Sequence, residues 1–526
     1  MSKRFYITTA IDYVNGQPHL GHAYEKVMAD IIARVETALG RQPFFLTGLD
    51  EHGQKVQKAA QEEGKDPQRY CDELSQDWKR IAASVKLSND DFIRTTEARH
   101  KTVVQAILSK LHAAGHFYKA EYKGFYSTRQ ETFLTEKERR PDGTWDPIYG
   151  EVTYLVEENY YFKLQQHQQW LIDYIEANPD FIFPSYRRNE VLGLLKNNVL
   201  EDLCITRPTA RLNWGIPVPF DSAYVTYVWF DALVNYVTIP AAYGDSTVVK
   251  TLGLENSTLA LLPSFQQHLE LWPADTHLIG KDILKFHAVF WPIMLKAMGL
   301  PLPKQIIAHG FWQKNGDKIS KSTGNIVDPA AVIAEWGLDA FRYYVTRELD
   351  LGPDGNWTDA GFESRYQAEL ANGLGNLVNR SLSMVNRYRA GKVPPRSNEL
   401  EREASDFLAK ARAHYEKHEL QHALVAIWGL IARANQYVDQ TAPFKLAKDP
   451  ALSKRLDEVL YNLGEICRII AILIAPVLIE TSAKILEQLN LGSSTQTLAN
   501  LTWGALTEGH QIGQPSPLFP RKDLKK

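Results

Sequence analysis

The stretch RFYITTAIDYVNGQPHLGHAYEKVMADIIARVETALGRQPFFLTGLDEHG, residues 4–53, decides the fold class. Residues 4–10 are apolar enough for a buried strand. After a turn at Asn15-Gly16, the residues Leu20, Ala23, Tyr24, Val27, Met28, Ile31, Ile32, Val35 and Leu39 recur at helical spacing. Gly40 marks the end of that helix, and Gln42–Thr47 reads as a second buried strand running into Gly48-Leu49-Asp50-Glu51-His52-Gly53. Strand, helix, strand predicts the opening of a parallel α/β sheet.

Working outward, helices are expected over 67–86 and 99–115, and a β-rich stretch at 117–162 reads as an insertion. The α/β pattern resumes at 225–236 and 275–299, followed by a strand at 304–309 and the loop GFWQKNGDKISKSTGN. From about residue 360 the pattern turns almost wholly helical, with helices near 365–390, 400–416, 419–440 and 451–489 and a turn at KVPPRSNE, 392–399. That is a separate helical domain.

A chain of 526 residues exceeds one ordinary core, and 44% hydrophobic with 23% charged residues describes a globular protein rather than a disordered one. Cys71, Cys204 and Cys467 are isolated, so neither a disulfide framework nor a thiolate zinc site can be read from them. No signal peptide or bilayer-length apolar run is found, and the expectation is a cytoplasmic protein with no membrane partner. The net charge of −3 argues against indiscriminate polyanion binding but leaves a segregated basic patch open.

Chemistry concentrates in two loops. Pro18–Tyr24, PHLGHAY, follows a strand and opens a helix, where free backbone N–H groups and the helix dipole favour an anion. Gly21 leaves room for a base or ribose, and His19 and His22 can donate to phosphate oxygens that gain charge in a transition state. Alone, the motif is equally the polar start of an amphipathic helix. His19, His22, Asp50 and His52 also make a zinc-hydrolase set, although a metal helix usually spaces its histidines by four. The second loop, Lys318-Ile319-Ser320-Lys321-Ser322-Thr323-Gly324-Asn325, is cationic, glycine-flanked and suited to closing over a triphosphate. Together the two loops favour nucleotide chemistry.

HLGH and KISKS resemble the paired HIGH and KMSKS signatures of class I aminoacyl-tRNA synthetases. The segments FFLTGLDEHG, NEVLGLL, WGIPVP, YVWFDALVNY, HLIGKDILKFHAVFWPIML, DAFRYYVTREL and LANGLGNLVNR, in that order, are similar to the methionyl-tRNA synthetase family. The resemblance implies an α/β fold: a Rossmann-type parallel-sheet catalytic domain with an inserted connective domain, followed by an all-α anticodon-binding bundle. The implied boundaries are 1–116 and 201–325 for the catalytic halves, 117–200 for the insertion, 326–362 for a linking stem-contact segment, 363–515 for the bundle and 516–526 for a tail.

The resemblance also implies ATP with Mg2+, L-methionine and tRNA(Met) as partners, and catalytic roles for His19, His22, Lys318 and Lys321. ATP would further meet Gly21, Lys281, Asp282 and Ser320. Methionine would meet Ile11, Tyr13, Asp50, Trp229, Ala232, Leu233, Tyr236, Ile283, His287 and Trp291, with Asp50 taking the ammonium. Asn376, Arg380 and Phe444 would read the anticodon, Phe444 standing where the family often has tryptophan. Physical chemistry supports a thioether substrate, because sulfur sits well against the ring edges that Tyr13, Trp229, Tyr236, Phe290 and Trp291 could supply.

Two departures matter. In GFYSTRQETFLTEKE and TWDPIYGEV, the residues Ser127, Gln130, Asp146 and Tyr149 stand where relatives carry knuckle zinc ligands. Without thiolates or histidines no zinc is expected there. Lys137, Arg139 and Arg140 lie beside this knuckle, as a solvated turn or an acceptor-arm contact. The insertion is too short for an editing domain of the kind that related enzymes for aliphatic substrates need, and without an appended dimerising domain a monomer is expected. Two rival readings stand: the zinc hydrolase, and a non-catalytic RNA-binding descendant.

Overall fold

The computed structural model describes residues 4–14, 18–127, 129, 132–134, 136–319, 325–492 and 497–520. The chain forms two compact units, the first from residues 1–18, 44–82 and 89–309, the second from 19–43, 83–88 and 310–526.

The first unit is built on a parallel sheet of strands β1 (Phe5–Thr9), β2 (Asp12–Tyr13), β3 (Pro43–Asp50), β4 (Asp91–Arg94), β5 (Ile182–Phe183), β6 (Thr276–Gly280) and β7 (Gln305–His309). Their order is β2-β3-β1-β6-β7-β5, with β4 also pairing β3. Ile7 faces Thr276, and Thr276 faces Gln305, in parallel register. Both faces are covered, so FYITT, THLIG and QIIAH read as near-continuous apolar runs. Tyr6, Leu46, Ile279 and Ile306 belong to one core. Gly48 is required by close approach: a Cβ there would lie 2.1 Å from the Ile93 carbonyl oxygen on β4.

The stretch 117–162 is β-rich, as its composition predicts. Phe117–Ser127 and Val152–Phe162 pair antiparallel along their full length, flanked by Thr132–Leu134 and Leu203–Cys204. Tyr154 and Val156 are exposed on one face of this sheet. Within the stretch read as insertion, Ile182–Phe183 adds the far edge of the parallel sheet beside Ile306–Ile307.

The second unit contains helix α1 (Leu20–Ala38), a small sheet of Trp312–Lys314, Asp317–Lys318 and Gly355–Trp357, and helices α2 (Leu338–Arg347), α3 (Asn376–Arg389), α4 (Glu401–Glu416), α5 (Leu420–Thr441), α6 (Ser453–Ile474) and α7 (Ile479–Gln488). The expected helix over 451–489 is two. Pro476 has no N–H to donate and falls in the break between α6 and α7. The expected helix over 365–390 starts as a wide π-helical segment, Tyr366–Gly375, before α3. Among the described residues no helix is long and apolar enough to cross a membrane.

Buried charge holds α1 in its unit. Asp30 accepts from Arg34 and Arg342, each at 2.7 Å, and from the Ser88 hydroxyl at 2.6 Å. Arg342, fully buried, spends its remaining donors on the carbonyls of Val85, Pro476 and Val477. All three nitrogens of this guanidinium are thereby engaged, which helps a buried ion pair to be tolerated.

Candidate active site

Helix α1 begins on its two histidines. His19 is the N-cap in extended conformation, and its Nδ1 accepts the Gly21 N–H at 3.1 Å. In return the His19 N–H donates to His22 Nδ1 at 3.1 Å, closing a reciprocal box of the kind usually made by Ser/Thr and Glu/Gln. The ring centroids are 3.9 Å apart. With both Nδ1 atoms accepting, the neutral rings carry their protons on Nε2, the atoms directed away from the cap. Gly21 is part of the arrangement, since a Cβ there would press on the His19 ring at 3.1 Å.

In the first unit, Ile11, Asp50 and Ile283, expected to hold methionine, lie at the carboxyl ends of β1, β3 and β6, the edge where open α/β sheets bind ligands. Ile11 follows β1, Asp50 ends β3 and is buried, and Lys281, Asp282 and Ile283 form a short 3-10 turn directly after β6. Tyr13 faces Asp50 across the β2–β3 register. Ile11 and Ile283 pack on the core that contains Leu233, Tyr236 and Trp291. Ala232 and Leu233 lie in the helix Val228–Leu233, whose Trp229 stacks on Phe286 with centroids 3.7 Å apart.

Hydrogen bonds fix the polar part of this wall. His287 Nδ1 lies 3.0 Å from the Ile283 carbonyl and can only donate to it, so Nε2 accepts the Tyr236 hydroxyl at 2.7 Å. His277 lies behind them. Its Nε2 accepts the Trp291 indole N–H at 3.3 Å, its Nδ1 meets the Thr8 hydroxyl at 2.7 Å, and its ring centroid is 4.2 Å from that of Tyr236. Burial, with His287 nearby, drives the His277 pKa well below its usual value. The wall is therefore aromatic, with His277 held neutral behind it.

His52 and His100 share one buried carboxylate. His52 Nδ1 donates to Asp231 Oδ2 at 2.6 Å, while His100 Nε2 donates to Asp231 Oδ1 at 2.6 Å. Among the described residues no group of three His, Cys, Asp or Glu side chains is arranged to hold a metal ion.

In the helical region, Asn376 opens α3 and Arg380 follows one turn later, its guanidinium 3.2 Å from Asp439 on α5. Phe444 stands in the short helix Pro443–Leu446 with 46% of its surface exposed. Lys318 ends a short strand, and Ser320 and Lys321 lie outside the described residues.

A sequence profile described as "tRNA synthetases class I (M)" matches residues 5–143 and 147–382, and one described as "Anticodon binding domain of methionyl tRNA ligase" matches 388–523. The chain belongs to the methionyl-tRNA synthetase family. It is 42% identical to a methionine–tRNA ligase of Rhizobium meliloti, covering 98% of each chain. A methionine–tRNA ligase of Caldanaerobacter subterraneus subsp. tengcongensis is 42% identical over 100% of this chain and 80% of the relative. A solved methionyl-tRNA synthetase of Mycobacterium tuberculosis, in complex with methionyl-adenylate, superposes with a TM-score of 0.87 at 38% identity, over 99% of this chain and 100% of that one.

The knuckle positions do not fit zinc. The Ser127 hydroxyl donates to the Tyr149 carbonyl at 2.5 Å. Asp146 caps the Ile148 N–H at 2.9 Å and takes Arg140 at 2.8 Å. Gln130 lies outside the described residues. Ser127, Asp146 and the Tyr149 carbonyl are thus tied by hydrogen bonds, and Arg139 meets the Gly143 carbonyl and the faces of Phe125 and Trp145.

Sequence reasoning missed Thr8, His100, Asp231, His277 and Phe286. Asp231, His277 and Phe286 carried a signal, lying within the motifs YVWFDALVNY and HLIGKDILKFHAVFWPIML already singled out.

Proposed function

We propose that this chain is a methionine–tRNA ligase that joins L-methionine to ATP, forming methionyl-adenylate and pyrophosphate, and then esterifies the terminal adenosine of tRNA(Met). The observation that carries the substrate assignment is the Tyr236–His287 pair, locked in one hydrogen-bonded direction within an aromatic wall. It offers sulfur a soft, aromatic surface, while Asp50 supplies a carboxylate for the ammonium.

No covalent nucleophile is needed. The methionine carboxylate attacks the α-phosphate in line and pyrophosphate departs, so catalysis is positioning plus electrostatic stabilisation. His19 and His22 donate Nε2–H to phosphate and ribose oxygens. Gly21 admits the nucleotide, Lys281 and Asp282 border it, and Lys318, Ser320 and Lys321 hold the departing pyrophosphate. Mg2+ accompanying ATP shares the phosphate charge. A hydroxyl of the terminal adenosine then attacks the adenylate carbonyl and AMP leaves. Asn376, Arg380 and Phe444 meet the anticodon, and the enzyme works as a cytoplasmic monomer.

The test is amino-acid-dependent exchange of labelled pyrophosphate into ATP, run across all twenty amino acids without tRNA. Exchange with methionine alone is expected. Folded protein that exchanges with none would sink the adenylation reading.

A further inference from the structure

The Asp231 carboxylate is fully buried and bridges two histidines from elements remote in sequence: His52, just past β3, and His100, in the helix Ala98–Ala113. His52 is 2% exposed and His100 fully buried. The far nitrogen of His100 meets the Thr238 hydroxyl at 3.0 Å, which in turn donates to the Val234 carbonyl. None of these groups has a place in the chemistry above, and burying them is costly unless the network is fully satisfied.

Their placement is informative. Asp231 lies between Trp229 and the Ala232-Leu233 pair, in a helix of six residues with no side-chain cap. Such a helix has little stability of its own and takes its position from tertiary contacts. His52 lies two residues after Asp50. The intervening Glu51 is anchored separately by Arg94 at 2.6 Å and by the Thr95 hydroxyl on its N–H at 2.9 Å. The His52–Asp231 bond is thus a direct link between the segment bearing the ammonium-binding carboxylate and the helix bearing the side-chain wall.

We propose that Asp231 is a positioning residue for methionine recognition: it sets the spacing between Asp50 and the Trp229–Leu233 wall by accepting hydrogen bonds from His52 and His100. The proposal rests on the ligase reading. A substrate held at its ammonium and its thioether feels that spacing directly; ATP, held at neither, does not.

The test uses the two histidines, because each donates from a different ring nitrogen. Asparagine places an amide N–H near the Nδ1 position and glutamine near Nε2. His52→Asn and His100→Gln therefore keep the donor, whereas His52→Leu and His100→Leu remove it. Each variant of the full chain is checked for folding by circular dichroism and thermal unfolding, and its KM for methionine and for ATP is measured by pyrophosphate exchange. The expected result is a methionine KM raised at least tenfold in the leucine variants and less than threefold in the amide variants, with ATP KM within twofold throughout. Should the leucine variants not fold, Asp231→Asn keeps the volume and one acceptor, and is expected to raise methionine KM at least threefold at unchanged ATP KM.

Variants that lose melting temperature or kcat with methionine KM unmoved, or that raise both KM values together, would overturn the proposal and leave the network a stability element. Failure of the ligase reading looks different: wild-type protein would then exchange with no amino acid, and the proposal would fall with it.

Discussion

His19 and His22 cap the same helix on each other, the His19 N–H meeting His22 Nδ1 at 3.1 Å while His19 Nδ1 takes the N–H of Gly21. The two-residue gap between the histidines is thereby explained at the level of the backbone. A residue at the third helical position reaches back to the N-cap, and using imidazole for both roles puts the proton of each neutral ring on Nε2.

The cap and the catalytic donor can be separated by His22→Gln. Glutamine is a standard third-position partner in such a box and can keep the His19 N–H satisfied. Melting temperature is expected to stay within a few degrees while methionine-dependent exchange falls about 100- to 1,000-fold, the usual loss of one oxyanion-stabilising donor. An equal loss of both would assign His22 to folding alone.

Tyr236→Phe removes the hydroxyl that His287 Nε2 accepts at 2.7 Å. A buried acceptor left without its donor costs about 1–3 kcal/mol. With Nδ1–H committed to Ile283, the ring has no second tautomer that keeps both bonds. Methionine KM should rise about tenfold with ATP KM unchanged; steady-state exchange kinetics read both.

Much of the fold was legible because it depends on local periodicity. FYITT, THLIG and QIIAH are apolar along their length because both sheet faces are covered, and α1 shows helical spacing because it packs along its length. The break at Pro476 was hidden by the apolar run RIIAILIAPVLIE, whose residues are buried on both sides of the turn. The Asp231 network was illegible for a different reason. Its bonds join residues 179 and 131 positions apart, and no spacing rule connects such partners. His52, part of the rival zinc set in the sequence, hydrogen-bonds a carboxylate that its own neighbours do not reveal.

Arg342→Leu tests the clamp on α1. The substitution strips Asp30 of one of its two arginines and leaves three buried carbonyls short of a donor. Breaking a buried pair from one side costs about 3–5 kcal/mol. The urea midpoint of the second unit should fall accordingly, and a change under about 1 kcal/mol would show that water or local rearrangement replaces the guanidinium.

Acid stability should carry the mark of Asp231. Burial disfavours its charge, but His52 and His100 overcome that and bring its pKa from 3.8 down to about 2. A depressed folded-state pKa contributes stability that is complete above the unfolded value and is lost as pH falls through the folded one, here between about pH 4 and pH 2. The contribution is about 2 kcal/mol. Asp30 is shifted the same way: burial opposes its charge, and Arg342 and Arg34 prevail. Denaturant midpoints of wild type should decline across that window, and Asp231→Asn should flatten part of the decline while lowering the plateau above pH 5.

Phe444 is expected to matter only once tRNA is present. Its ring is 46% exposed and stands five residues after Asp439, the partner of Arg380. Stacking of a base on an exposed aromatic ring is worth about 1–3 kcal/mol, which corresponds to about 5- to 150-fold in binding. Phe444→Ala should therefore raise the KM for tRNA(Met) by at least fivefold and leave pyrophosphate exchange unchanged, with little change in melting temperature at a residue 46% exposed. Phe444→Trp offers a larger face and should lower that KM. If alanine leaves charging kinetics intact, base recognition does not pass through this ring, and Asn376 and Arg380 become the first positions to test.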